Sequence, residues 1–179
     1  MPVSALLPGV VITLVLAERL AEILLHRKHV RVLRARGAIF AREDGFGLIL
    51  AGQVLLFVLL PIEAIAAPWS GAGWWTWPAL ALALLAQALR YWAIVTLGER
   101  WTIRVVTLPD APRIVTGPYR LMRHPNYFAV LLETLALPLA FGAIGTMLVA
   151  FLVMAIALRR RIEREDRALG AAVTVDGSL

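Results

Sequence analysis

No cysteine occurs in the 179-residue chain, which excludes disulfides, thiolate metal ligands and thiol nucleophiles. Lysine is almost missing as well: Lys28 is the only one among 18 basic residues, so nearly all the positive charge is arginine. Three histidines are present, and no HxxxH or HxxE spacing surrounds His124, so no metal site is expected. Between Met1 and Pro8 no side chain is charged. A cleaved signal peptide needs a basic n-region, so the first apolar segment is read as a permanent anchor. Internal repeats, heptad arrays and low-complexity linkers are also absent, and residues 1–179 read as a single domain.

What the chain does have is apolar length. Hydrophobic residues make up 60% of it and the mean hydropathy is +0.78, against roughly 45–50% apolar residues in a soluble domain. An all-α integral membrane protein is expected. The 18 basic residues outnumber 12 acidic ones. They cluster beside apolar segments rather than along one polar face, which follows the positive-inside rule and calls for no nucleic-acid partner.

Ala5 to Leu25, Phe46 to Ala67 and Trp74 to Leu97 are each long enough to cross about 30 Å of hydrocarbon. The apolar stretch from Asn126 to Leu158 would extend roughly 50 Å as one straight helix, too long for a single crossing. Pro138, Gly142 and Gly145 predict that it folds back as a hairpin. Charge supports this division. Arginines follow the first span (Arg27, Arg31, Arg34, Arg36, Arg42), the third (Arg100, Arg104, Arg113, Arg120, Arg123) and the last (Arg159, Arg160, Arg161, Arg164, Arg167). The turn from Pro68 to Gly73 carries none. All three basic regions share one side only if the fourth stretch crosses twice, giving five transmembrane helices, an outer N-terminus and a cytoplasmic C-terminus.

Several polar residues sit within these spans. Glu18 and Glu22 share a helix face, with Arg19 or Arg90 as partner; a proton or ion pathway is the alternative reading. Charges at a span's centre cost about 2.5–3.5 kcal/mol each on insertion scales. Arg90 either snorkels or lines a ligand cavity. Glu133, early in the hairpin, is either a pocket residue or a buried hydrogen-bond partner. Glu63 is expected to be hydrated near the outer end of the second span. Trp69, Trp74, Trp75 and Trp77 mark the outer interface, while His26 and His29 are expected to contact headgroups.

Two constellations remain. Thr116 to Tyr127 reads TGPYRLMRHPNY, in which Pro125 biases His124 toward an extended or turn conformation at the start of a helix. His124 is thus expected on a fixed elbow at the bilayer surface. The preceding residues from Gly98 are too broken by Gly and Pro for a long helix, and Trp101, Ile103, Val105 and Val106 are too apolar for a solvated linker. A packed lid is expected. Beyond the hairpin, RRRIEREDRAL places Arg161 and Glu165 one helical turn apart on the same face. Taken alone, that run is a solvated positive-inside end.

Together, a basic apolar loop, VTGPYRLMRHPNY, an apolar hairpin and a closing R-x-x-x-E-D resemble the C-terminal catalytic half of the isoprenylcysteine carboxyl methyltransferases and their bacterial relatives. The resemblance runs from about Leu97 to Leu169. It implies S-adenosyl-L-methionine as cofactor, enclosed at the cytosolic side by the loop and the C-terminal helix. It also implies that Tyr119, His124, Pro125, Asn126, Tyr127 and Glu165 hold the cofactor, with Arg104, Arg113 and Ile114 in reach. Arg161 and Arg123 then meet the anion of the substrate. Residues 1–97 are the N-terminal spans, 98–169 the catalytic part and 170–179 a flexible tail.

GERWTIRVVTLPDAPRIVTGPYRLMRHPNY is similar to bacterial members that methylate the acidic hydroxyl of long-chain alkylpyrones or alkylresorcinols. The implied partners are a lipophilic small molecule or prenylated substrate and membrane lipids, in a bacterial inner membrane. Two other readings are carried. Sterol reductases share an Arg-His-Pro elbow and use NADPH, though they are generally much longer. A non-catalytic membrane scaffold could keep the same fold.

Overall fold

The computed structural model describes residues 3–40, 45–66, 73–108 and 111–176. Five long helices account for most of it: α1 (Val3–Ala35), α2 (Phe46–Ala66), α3 (Thr76–Leu97), α4 (Pro125–Ala140) and α5 (Ile144–Asp176). The fold is not wholly α-helical. Two-residue strands β1 (Ile39–Phe40) and β2 (Val106–Thr107) pair antiparallel, with Ile39 opposite Thr107. That pairing gives the apolar segment after α3 a place to satisfy its backbone while its side chains pack.

The hairpin forms where the glycine lies. Gly142 has φ 70°; its N–H reaches the Leu139 carbonyl at 3.1 Å, and the Ala143 N–H reaches Pro138 at 2.9 Å. These are the two bonds of a Schellman stop, which a left-handed residue at this position permits. Pro138 remains within the last turn of α4, and Gly145 within the first turn of α5. At the other end of the molecule α1 stops the same way at Gly37, with Ala38 N–H on Leu33 carbonyl at 3.0 Å. The helix does not stop at Leu25, where the expected span ends, but runs as far as Ala35 through the basic stretch. No Gly or Pro interrupts it, so nothing stops the helix before Gly37. Likewise α5 carries through the expected tail as far as Asp176, over the good helix formers Ala171 and Ala172.

Arg42, Trp69, Pro109 and the turn at 67–72 lie outside the described residues, as does 177–179. Trp74, Trp75 and Trp77 are exposed.

Packing follows small side chains. Helix α3 lies against α4, α4 against α5, and α2 against α5, with Ala79, Ala83, Ala136, Ala140 and Ala143 buried at the contacts. Small residues let helix backbones approach closely, which is how helices associate in lipid. Polarity is inverted relative to a soluble domain: Leu14, Leu84, Val95, Leu148 and Leu152 face outward, while Glu22, Arg90, Glu133 and Arg161 are buried. Among the described residues two helices are long and apolar enough to cross a membrane, Phe46–Ala64 and Thr76–Arg100; α4, with 16 residues, is shorter and spans about 24 Å.

Glu63 is not simply hydrated. Its carboxylate accepts the Gly145 and Thr146 N–H groups at 2.9 and 2.6 Å and the Thr146 hydroxyl at 2.6 Å. Those N–H groups belong to the first turn of α5, where backbone donors lack intrahelical partners and a negative charge is favoured.

Candidate functional site

The elbow is built as Pro125 requires. His124 is the residue before α4, with φ −129° and ψ 61°, and Pro125 occupies the first helical position. The His124 carbonyl accepts from the Tyr127 and Phe128 N–H groups, both at 3.1 Å. Upstream, a 3-10 turn at Gly117–Arg120 presents Tyr119 and packs against α3. Gly117 is at φ 56°, and a Cβ there would collide with the Thr96 side chain. Gly117→Ala is therefore expected to lower stability by about 1–3 kcal/mol, read from unfolding of the detergent-solubilised protein. An unchanged melting point would show that the turn relaxes freely.

On the facing helix, α5, Arg161 and Glu165 are one turn apart, as the sequence spacing predicts. Between them stands Tyr127. Its hydroxyl accepts from Arg161 Nε and donates to Glu165 Oε2, each at 2.8 Å. The Arg161 guanidinium also lies 5.5 Å from the Tyr127 ring centroid. On its other side, the His124 ring stacks on Tyr127 with centroids 5.2 Å apart and planes 6° from parallel. His124 Nδ1 is 3.9 Å from Glu165 Oε2, close enough to pair when the imidazole is charged.

Arg161 also holds the lid. Its Nη2 donates to the Ile103 carbonyl at 2.6 Å. The same segment is tied to α1 by both histidines: the Ile103 N–H donates to His26 Nδ1 at 3.2 Å, and His29 Nδ1 donates to the Trp101 carbonyl at 2.8 Å. His29 and Trp101 are buried and meet edge to face. The headgroup role expected of these histidines gives way to a tether, because the packed loop's backbone groups need partners where water is excluded.

Burial, with the Glu165 carboxylate adding to it, pushes the Tyr119 hydroxyl well above the ordinary tyrosine range. It stays protonated at neutral pH, so its O–H is available to donate. Among the described residues two buried polar atoms of the cluster have no hydrogen-bond partner: Asn126 Oδ1, an acceptor, and Arg161 Nη1, a donor. Orphaned buried groups of this kind ask for a ligand.

The remaining expected residues fall less centrally. Pro125 is buried as part of the elbow, and Ile114 is half-buried. Arg104 places its guanidinium 6.0 Å from the Phe46 ring centroid, toward α2. Arg113 and Arg123 are exposed and make no bond to the cluster among the described residues. Ile103, whose carbonyl fixes Arg161, carried no sequence signal, since a backbone acceptor has no residue signature.

A second polar group lies deeper. Arg19 donates to Glu22 at 2.9 Å and to Glu133 at 3.1 Å, and Arg90 pairs with Glu22 through Nε and through Nη2. Gln87 donates to Glu18 at 2.6 Å. Glu22 thus has both expected partners, and Glu133 is a buried ion-pair member of the same network.

Comparison with known proteins identifies relatives and a family. Over 158 residues the chain is 34% identical to the uncharacterized protein YpbQ of Bacillus subtilis, covering 88% of this chain and 94% of that protein. An uncharacterized protein of Haemophilus influenzae is 28% identical over 156 residues, covering 87% and 90% respectively. No solved structure matches the chain significantly. Residues 79–171, which run from α3 through the elbow and hairpin past Arg161 and Glu165, match the family model of the isoprenylcysteine carboxyl methyltransferases. With more than half its length in that match and the elbow packed on the Arg–Glu helix, the chain belongs to the isoprenylcysteine carboxyl methyltransferase family.

Proposed function

We propose that the protein is a membrane O-methyltransferase that uses S-adenosyl-L-methionine to methylate an acidic oxygen of a lipophilic substrate. That oxygen is an isoprenylcysteine-type carboxylate or an alkylpyrone or alkylresorcinol hydroxyl. The observation that carries this reading is the Tyr127 hydroxyl bonded to both Arg161 and Glu165, which joins the elbow to the last helix. In this reading the chain crosses a bacterial inner membrane five times, with the N-terminus outside and the junction at the cytoplasmic face, as the arginines beside the apolar segments favour.

The residues present suit the cofactor's groups. Glu165, with the stacked faces of His124 and Tyr127 beside it, is an environment for positive charge. Asn126 Oδ1 offers a free acceptor, and Tyr119 a lasting donor. Ile114, Arg113 and Arg104 stand outside the cluster and are assigned to the cofactor by the family resemblance of their segment. When bound, S-adenosylmethionine supplies an electrophilic methyl group on a sulfonium, which is lost by in-line displacement.

Most of what the chain contributes is alignment. The lid residues Trp101 and Ile103 exclude water, and their anchorage on Arg161, His26 and His29 keeps them in place. Orientation in a dry site supplies several kcal/mol of barrier reduction. Arg161 has its Nη1 free to meet an anion, and exposed Arg123 attracts that anion to the mouth. A terminal carboxylate with a pKa of about 3.5 is already ionised at neutral pH, so no general base is required.

The test is transfer of labelled methyl into the lipid extract of membranes containing the protein. Wild type is expected to label a lipid, and Glu165→Gln to weaken cofactor binding by about tenfold or more, through loss of a charged hydrogen-bond partner. Label no higher than in control membranes, or stabilisation by NADPH instead of S-adenosylmethionine, would replace this reading.

A further inference from the structure

A groove of about 620 Å³ opens on the membrane-facing side between α1, α3 and α4. It stands apart from the cluster around Tyr127: Glu133, on its floor, is about 9 Å further along α4 at roughly 1.5 Å per residue. Val11, Leu14, Leu80, Leu84 and Leu137 form its walls, and Trp77 closes one end. At the other end the lining turns polar, with Glu18, Gln87, Tyr91 and Glu133.

That polar end is one-sided. Glu133 is a buried carboxylate and Glu18 a part-buried one, and the side chains of Arg19 and Arg90 that answer them lie behind the lining rather than in it. Among the described residues Glu18 Oε1 and Gln87 Oε1 are buried with no donor at hydrogen-bond distance, the Tyr91 hydroxyl being directed at the same Glu18 carboxylate. Across the network three carboxylates (Glu18, Glu22, Glu133) face two guanidiniums (Arg19, Arg90), a formal excess of one negative charge. Unfilled acceptors in an apolar surrounding are costly, and a donor brought by a ligand relieves them.

We propose that this groove binds a single-chain lipid with a hydrogen-bond-donating head, hydroxyl or ammonium, seated on Glu18 and Gln87 with its chain running toward Trp77. From Tyr91 to Trp77 the groove follows α3 for about 21 Å, room for a long hydrocarbon chain. A carboxylate head would add a fourth carboxylate to a network that already holds three against two guanidiniums, and is excluded. Bulk phospholipid is disfavoured too, because the floor lies within the helices and its donors, the Gln87 amide and the Tyr91 hydroxyl, are already directed at Glu18, so a phosphate would face carboxylates.

The protein in phosphatidylcholine nanodiscs, with no methyl donor present, is titrated with tritiated hexadecanol, hexadecylamine and palmitate. Hexadecanol or hexadecylamine is expected to bind at least about tenfold more tightly than palmitate, and which of the two binds better assigns the head as neutral or cationic. Gln87→Leu is expected to narrow that preference. Leu84→Trp fills the groove from an exposed wall without touching the polar residues, and is expected to weaken binding by about tenfold with the helical circular dichroism unchanged. Equal binding of palmitate, or undiminished binding by Leu84→Trp, would overturn the proposal. Since binding is read without methyl transfer, failure here leaves the methyltransferase reading standing, and the reverse holds.

Discussion

Replacing Arg161 with alanine is expected to cut methyl transfer by roughly two to three orders of magnitude, the largest effect of any single change on activity. Arg161 is buried, its Nε bonds the Tyr127 hydroxyl, its Nη2 bonds the Ile103 carbonyl and its Nη1 is unused. Hydrogen bonds to a charged group contribute about 1.5–3 kcal/mol each, so losing the anion-facing donor and the alignment that one further bond supplies accounts for about 3–4 kcal/mol of the barrier. At about 1.4 kcal/mol per factor of ten, that is the predicted loss. Arg161→Lys keeps the charge but cannot reach both partners with a planar fork, so it should recover only part of the rate. Initial rates of label transfer, measured beside melting curves, separate chemistry from folding. A rate equal to wild type in a folded Arg161→Ala protein would remove Arg161 from the site.

The largest effect on stability is expected at Arg90, not at the elbow. Arg90 is buried in α3, pairs with Glu22 and lies 3.7 Å from Glu133. Arg90→Met leaves Glu22 and Glu133 sharing Arg19 alone. Removing one partner of a buried pair costs about 3–5 kcal/mol, because the other charge stays buried and uncompensated. Denaturant unfolding in detergent micelles reads this directly. Adding Glu22→Gln to Arg90→Met should restore a large part of the loss, since the stranded charge is then gone. If the single variant unfolds like wild type, the network is not holding α1 to α3 and α4.

Both residues were visible before any coordinates, and for different reasons. Arg161 and Glu165 declare a shared face by their spacing on a helix, and Pro125 declares the elbow because its ring restricts the residue before it. Gly142 declares the hairpin turn. Arg90 was visible only as an anomaly, a charge inside an apolar span. Its partner could not be chosen, because Glu22 is 68 residues away and the approach depends on which faces of α1 and α3 meet. Glu133 was ambiguous for the same reason, its Arg19 partner being 114 residues distant.

The two histidines of α1 show where local reasoning misleads. Beside Lys28 and Arg31 they look like headgroup contacts, yet His29 reaches a carbonyl 72 residues on. Glu63 likewise caps a helix through Gly145, 82 residues later. In each case the unmet backbone donor or acceptor that selects the partner exists only after the helices have assembled.

Apolar run lengths, the run of arginines at span ends, and the Pro and Gly positions set the helices, the hairpin and the elbow, because backbone sterics and transfer from water act within a few residues. Which side chains come together at Tyr127, which pairs neutralise one another at Glu133, and where a lipid groove is left open were decided by tertiary packing. Those contacts join residues 34 to 114 positions apart, whose proximity is set by close-packing of small side chains between whole helices rather than by any local preference.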